Sequence, residues 1–221
     1  MLHYKLLKGL SIFVLLFPVL LRAEEENLVP NPGCETNTGN KNTADNWIMG
    51  TDIKFPAHWD MKQSKGIVKL DSIVVHGGKY SQSYTSPKRI EKDLSEADAW
   101  NWNKWHQIHN SSVYWTVPFS SPEFNVKKGD KYRLSAWVKA ENMISLHIKV
   151  IWINTDGKPV WKGDVLVFPR EQKMSTYDWE EWSVVVSPPT GMVKCRLDYV
   201  LNEGESDGKI WTDDISVKLV K

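Results

Sequence analysis

Apolar residues in this chain recur at every second position, in short runs closed by glycine, proline or aspartate, and that period belongs to half-buried β-strands. Tyr132, Leu134, Ala136 and Val138 alternate with Arg133, Ser135, Trp137 and Lys139. Leu146, Ile148, Val150 and Trp152 repeat the pattern before an Asp156-Gly157 turn. Trp182, Val184 and Val186 run into Pro188-Pro189-Thr190-Gly191, a strong breaker. Val193, Cys195, Leu197, Tyr199 and Leu201 form a further face. Trp211, Asp213, Ile215, Val217 and Leu219 read as one face of the last strand. Near the start, Ile67–Val75 and Tyr80–Tyr84 flank His76-Gly77-Gly78, a hairpin signal. No stretch shows the 3.6-residue period of an amphipathic helix. Strands with one apolar face and no helical crossovers pair antiparallel, and a second sheet must cover them. The expectation is an all-β, two-sheet antiparallel β-sandwich.

A length of 221 residues suits one domain. Residues 1–23 read as a signal peptide, and 24–221 as the sandwich. Lys5 and Lys8 precede the twelve-residue, largely apolar stretch Leu10–Leu21, too short to span a bilayer comfortably, and Ala23 offers a small residue at the cut; Arg22 beside it leaves a retained anchor as the alternative. The chain is then exported, to the periplasm, the cell surface or the medium, with no transmembrane span after cleavage. With 28 basic against 27 acidic residues, the chain has no field to gather nucleic acid. Export permits a disulfide between Cys34 and Cys195; the alternative is two small buried free thiols.

Four stretches, in order, resemble secreted carbohydrate-binding modules with the galactose-binding-like jelly roll, the CenC-like type. They are Asn27-Leu28-Val29-Pro30-Asn31-Pro32-Gly33-Cys34-Glu35, then Val75-His76-Gly77-Gly78-Lys79-Tyr80-Ser81, then Val126–Ala140 with its Tyr-Arg-Leu-Ser-Ala-Trp-Val-Lys core, and Gly208–Val217 with Trp211 and Asp213-Asp214. Cys34 stands where an aromatic is usual, and residues 85–120 depart from the pattern. The resemblance implies a jelly roll that holds a polysaccharide or oligosaccharide on a sheet face or edge loops without cleaving it. It also implies a structural calcium tying the first segment to the last strand.

A hard cation takes six to eight oxygens, carboxylate and carbonyl. Glu35 after the first turn and Asp213-Asp214 in the last strand are the expected metal ligands. Alternation places Asp213 on an apolar face, where a carboxylate needs a cation or hydrogen-bond donors.

Twelve tryptophans are far above ordinary usage. Trp100, Trp102 and Trp105 stand among Asn101, Asn103, His106 and Gln107, a mixture suited to the flat C–H faces and hydroxyl rims of sugars. One stacked ring contributes about 1–2.5 kcal/mol. The alternative is a small aromatic core. By parity, Trp152 and Trp211 belong in the core. Trp137 shares the opposite face with Arg133, as a sugar platform or packed under a loop. Arg196 and Asp198 sit on the polar face of a later strand, where Arg196 could reach a ligand. Trp161, Trp179 and Trp182 have no assignment from sequence.

Catalytic signatures are weak: there is no Gly-x-Ser-x-Gly, no phosphate loop and no His-Glu-x-x-His. His106 and His109 lack a nearby acid triad. Asn110-Ser111-Ser112 is a glycosylation sequon. Three functions remain open: a non-catalytic binding module, with a co-exported glycan-degrading enzyme as a further partner; a small jelly-roll lyase or glycoside hydrolase; and a structural or adhesion sandwich binding protein.

Overall fold

The computed structural model describes residues 26–39, 41–53, 64–87, 114–160, 167–203 and 208–220. The expected signal peptide and Trp100, Trp102 and Trp105 lie outside the described residues. Eleven strands are described: β1 (Ile48–Met49), β2 (Ile67–Asp71), β3 (Ser81–Thr85), β4 (Tyr114–Thr116), β5 (Phe119–Ser120), β6 (Phe124–Asn125), β7 (Tyr132–Asn154), β8 (Pro159–Val160), β9 (Val167–Val186), β10 (Met192–Glu203) and β11 (Lys209–Leu219). All pairings are antiparallel, and the strands make the expected two-sheet jelly-roll sandwich.

The two runs expected at 132–139 and 146–153 are one bent strand, β7. Its first half pairs with β11 and its second with β10, while β9 follows the opposite edge. Register shifts between Val138 and Ile148, with Asn142 at φ 50°, turn β7 from one sheet into the other. Sheet I is therefore β2-β3-β11-β7-β9, and sheet II runs β1-β5-β10-β7-β9. β10's other edge meets three short pieces, β4, β5 and β6, broken at Pro118 and Pro122, which lack the amide a continuous ladder needs.

The core fills the space between the sheets. Leu134, Ala136, Val138, Leu146, Ile148 and Val150 of β7 pack with Cys195, Leu197, Tyr199 and Leu201 of β10 and Ile210, Ile215 and Val217 of β11. Trp47 stacks on Tyr199 within it and Phe119 meets both at a tilt, its ring centre 4.8 Å from that of Tyr199. The Tyr199 hydroxyl is satisfied by Thr212 Oγ1 at 2.6 Å. Trp152 is core, as its parity implies, and so is Trp182.

Trp211 is not part of that core. A bulge between Asp213 and Ser216, with Asp214 at φ 46°, inserts a residue into β11 and inverts parity across it. Ile210, Ile215 and Val217 point inward, whereas Trp211 and Asp213 pair with Lys139 and Trp137 on the outer face of sheet I. Trp211 is still buried, its indole N–H donating to Asp71 Oδ2 at 3.0 Å. Burial pushes the Asp71 carboxyl up, but that bond and the Ile73 and Val74 amides outweigh it and hold it below the usual range.

On the outer side of sheet II, Arg196 and Asp198 are buried together, Nε donating to Oδ1 at 2.7 Å, and Ser120 Oγ donates to the same oxygen at 2.7 Å. Removing one partner of a buried pair strands the other's charge. Asp198→Ala is therefore expected to destabilise the fold by about 3–5 kcal/mol, read from urea unfolding. Asp198→Asn, which keeps acceptor capacity, costs less.

Candidate functional site

One corner of sheet I gathers three carboxylates from segments far apart in sequence. Residues 27–32 lie along β11 where β3 ends: the Leu28 amide donates to Val217 O and the Ile215 amide to Pro32 O, both at 3.0 Å. Asn27 locks the pairing, accepting from the Val217 amide and donating to Ile215 O. This carries Glu35 to the loop between β2 and β3. The β2–β3 hairpin is present with a longer loop, residues 72–80, than alternation suggested.

The loop is held by carboxylates through its backbone. Asp213 Oδ2 accepts from the His76 and Gly77 amides at 3.0 and 3.2 Å, and Oδ1 from the Asp214 amide at 2.8 Å. Glu35 accepts the Lys79 amide with both oxygens, at 2.9 and 2.8 Å, and the Tyr80 amide at 3.3 Å. Asp214 Oδ2 meets His76 Nδ1 at 2.8 Å. Gly78 has φ 61°, and a Cβ there would collide with the Glu35 carboxylate, so glycine is needed on both counts. Asp213 is fully buried. Burial is the largest influence on it and pushes its carboxyl up to about 6, against the lowering effect of the three amides; the Asp214 charge adds to the rise.

Beside this corner stands an aromatic cluster on the outer face of sheet I. His76 stacks on Trp137 with ring centres 3.8 Å apart and planes 15° from parallel, and it meets Trp179 edge-on at 5.6 Å. Lys139 on the same face donates to Asp178 at 2.7 Å. Away from the cluster, the Ser216, Ser135 and Ser183 positions pair across the face, followed by Lys218, Arg133 and Val185. Beyond β11, an open groove of about 540 Å³ is lined by Asn27, Pro32, Asp214, Ser216 and Lys218 among others.

Glu35, Asp213 and Asp214, the expected metal ligands, all stand around the β2–β3 loop and are spent on holding it. Among the described residues no three acidic, histidine or cysteine side chains are disposed to hold one metal ion. Trp137 has the second of its two expected places, packed under a loop, with His76 on its ring. Arg133 is exposed on the same face. Arg196 is a correction: it is 7% exposed and spent on Asp198, so its guanidinium does not reach out for a ligand. The reason is that this face of sheet II is covered, with Ile151, Ile153 and Val200 also buried on it. Cys34 and Cys195 are both buried free thiols, pushed well above the ordinary thiol range by burial. Sequence reasoning missed His76 and Trp179 as partners of Trp137. The only signal was His76 beside the Gly-Gly pair of a hairpin.

No protein-family profile and no curated relative matches the chain. Solved structures do resemble it. The enzymatically active domain of bacteriophage CBA120 tailspike protein 4 gives a TM-score of 0.54 at 13% identity, over 88% of this chain and 21% of that one. The CBM22-1–GH10 modules of Clostridium thermocellum endo-1,4-beta-D-xylanase 10B, complexed with xylohexaose, give 0.50 at 11% identity, over 89% of this chain and 29% of that one. The CBM22-1 xylan-binding domain of Paenibacillus barcinonensis Xyn10C gives 0.49 at 15% identity, over 89% of this chain and 96% of that one. The chain spans less than a third of the first two proteins. At these identities the likeness is one of fold, an antiparallel β-sandwich, and of nothing finer.

A carboxyl whose pKa is raised in the folded state binds more protons there than in the unfolded chain, so stability falls as pH rises through the window between the two values. For Asp213 that window runs from about pH 4, the ordinary aspartate value, up to about 6. In chelator, urea midpoints are expected to fall across it, and Asp213→Asn to flatten that part of the profile.

Proposed function

We propose that this chain is an exported, non-catalytic carbohydrate-binding module that holds a polysaccharide through tryptophans and planar polar groups. The observation that supports it most is where the four resembling stretches fall in the sandwich. The first lies along β11, the second forms the β2–β3 loop, the third opens β7 and the fourth is β11 itself. The similar C. thermocellum structure, a CBM22-1 module joined to a GH10 module, is a complex with xylohexaose, and a glycan ligand is the one proposed here. No helix among the described residues is long and apolar enough to cross a membrane.

Trp100, Trp102 and Trp105 remain the proposed platforms, with Arg133 and the sheet face beside the His76-covered Trp137 as the second region. Two or three stacked rings at about 1–2.5 kcal/mol each correspond to millimolar to micromolar binding. Affinity electrophoresis against a broad polysaccharide set is the test. Trp102→Ala is expected to weaken retardation with an unchanged melting temperature. If no polysaccharide retards the protein, a structural or adhesion role replaces this one. Release of reducing or unsaturated ends would instead make it an enzyme.

The proposed structural calcium would sit at Glu35, Asp213 and Asp214. These supply hard anionic oxygens from two ends of the chain, and the desolvated Asp213 is a group whose charge a cation would compensate. Those oxygens also accept the loop amides, so the alternative is a purely amide-held corner. A ligand that binds only the folded state stabilises it by RT ln(1 + [L]/Kd). Chelation is expected to lower the melting temperature of the wild type and leave that of Asp213→Ala/Asp214→Ala unmoved. Equal melting curves with and without chelator would remove the metal.

A further inference from the structure

The charges of this nearly neutral chain are sorted in space. Elsewhere on the surface, Lys139 stands on Asp178 at 2.7 Å, Lys194 on Glu123 at 3.2 Å and Lys69 on Asp71 at 4.0 Å, while Lys41, Lys158 and Lys209 are exposed singly rather than in a group. The end of sheet I opposite the carboxylate corner is different. Lys127, Lys128 and Lys131 occupy the turn into β7, and Arg133 and Lys218 follow on the outer face; all five are exposed. They form one continuous patch. The Val220 amide donates to Lys131 O at 2.8 Å, tying the turn to β11, and Lys218 pairs with Arg133 across β11 and β7.

Among the described residues, none of the five makes an ion pair. Acids near them include Asp130, whose Oδ2 accepts the Tyr132 hydroxyl at 3.2 Å, and Glu26, which lines the groove beside Lys218; exposed Glu181 stands farther along the face, paired with Trp137. The turn is held rigid, because the Tyr132 phenol oxygen also accepts the Lys127 amide at 2.9 Å. The cations therefore project from a fixed frame.

The same face offers a path away from them. From Arg133 the outer face runs over Ser135 to Trp137, four residues or about 13 Å along the strand. Ser216, Ser135 and Ser183 make a low floor between the cationic end and the His76–Trp137–Trp179 cluster. A chain of sugars lying on this floor would place its charged substituents on the cations.

We propose that the Lys127–Lys131 turn, Arg133 and Lys218 form a binding surface for an acidic polysaccharide, one bearing uronate carboxylates or sulfate esters. This rests on the polysaccharide-binding reading and narrows its ligand class. Contacts of this kind are exposed and screened by salt.

The test is affinity electrophoresis of the full chain in polygalacturonate, dextran sulfate, neutral β-glucan and arabinoxylan. Lys128→Glu/Lys131→Glu is compared with Lys158→Glu/Lys194→Glu, a control with the same charge change elsewhere. Retention by the acidic polymers is expected to weaken about tenfold in the turn variant and to persist in the control. It is also expected to vanish at about 1 M salt, where the screening length is about 3 Å. Retention by neutral polymers alone overturns the proposal and leaves carbohydrate binding standing. Equal loss in both variants overturns it as a general charge effect. Binding only to phosphatidylserine vesicles overturns it in favour of a membrane surface. Failure of every polysaccharide removes the underlying reading as well.

Discussion

The buried carboxylate of Asp213 is the point on which the architecture of sheet I turns. It has no exposure and no cationic side chain against it among the described contacts, so backbone amides must satisfy it. Those amides belong to His76 and Gly77, which fixes the β2–β3 loop against β11. Once the loop is fixed, Glu35 can reach Lys79 and Tyr80, and His76 lies on Trp137. Asp213 thereby joins the hairpin loop to the last strand, while Asn27, Leu28, Pro32 and Glu35 bring in the first segment. A carboxylate kept in such a place is a liability for stability unless its donors are complete, and here the bulge at Asp213–Ser216 provides the third of them.

The second constraint is mechanical. Because β7 and β9 belong to both sheets, the sandwich is folded from continuous strands rather than assembled from two separate ones. The bend occurs where register shifts, between Val138 and Ile148, and buried Met143 fills the inner side of the turn. Side chains on the outer face of sheet I are therefore carried on a frame that cannot slide relative to the core. A recognition surface built on strands in this way loses little freedom when a ligand arrives.

The fold class was legible because alternation is a direct trace of a half-buried strand. The carboxylate corner was legible through resemblance, since the segments around Glu35, Gly77 and Asp213 had recognisable neighbours. The failures share one physical cause. Parity predicts a side chain's face only while the register is unbroken, and a bulge resets it without marking the sequence. Trp211 looked like core because Ile215 and Val217 follow at even spacing, yet the bulge lies between them. Arg196 was misread for a different reason: alternation tells which sheet face a residue takes, not whether that face is covered. The cover over sheet II includes a small apolar group, Ile53, Val117 and Val200, whose members are too scattered in sequence to announce themselves.

Abundant indole in the sequence does not translate into abundant platform. Of the tryptophans with described side chains, Trp47, Trp152 and Trp182 are spent in the core. Trp211 is buried against Asp71, and Trp137 gives one face to His76. A sugar needs an open ring face of about the area its own C–H face removes from water, and a ring already stacked at 3.8 Å has given that face away. Trp179 meets His76 only by edge geometry and is half-exposed, so the imidazole leaves its ring faces free. The residue that decides what this face can bind is then His76, which occupies on Trp137 the position a pyranose would take. A ligand on this part of the sheet either uses Trp179 beside the imidazole or displaces it, and displacement must also break the Asp214 contact at 2.8 Å. Binding beside the intact stack costs less, so a glycan on this face, as proposed, would lie along the serine floor rather than on Trp137.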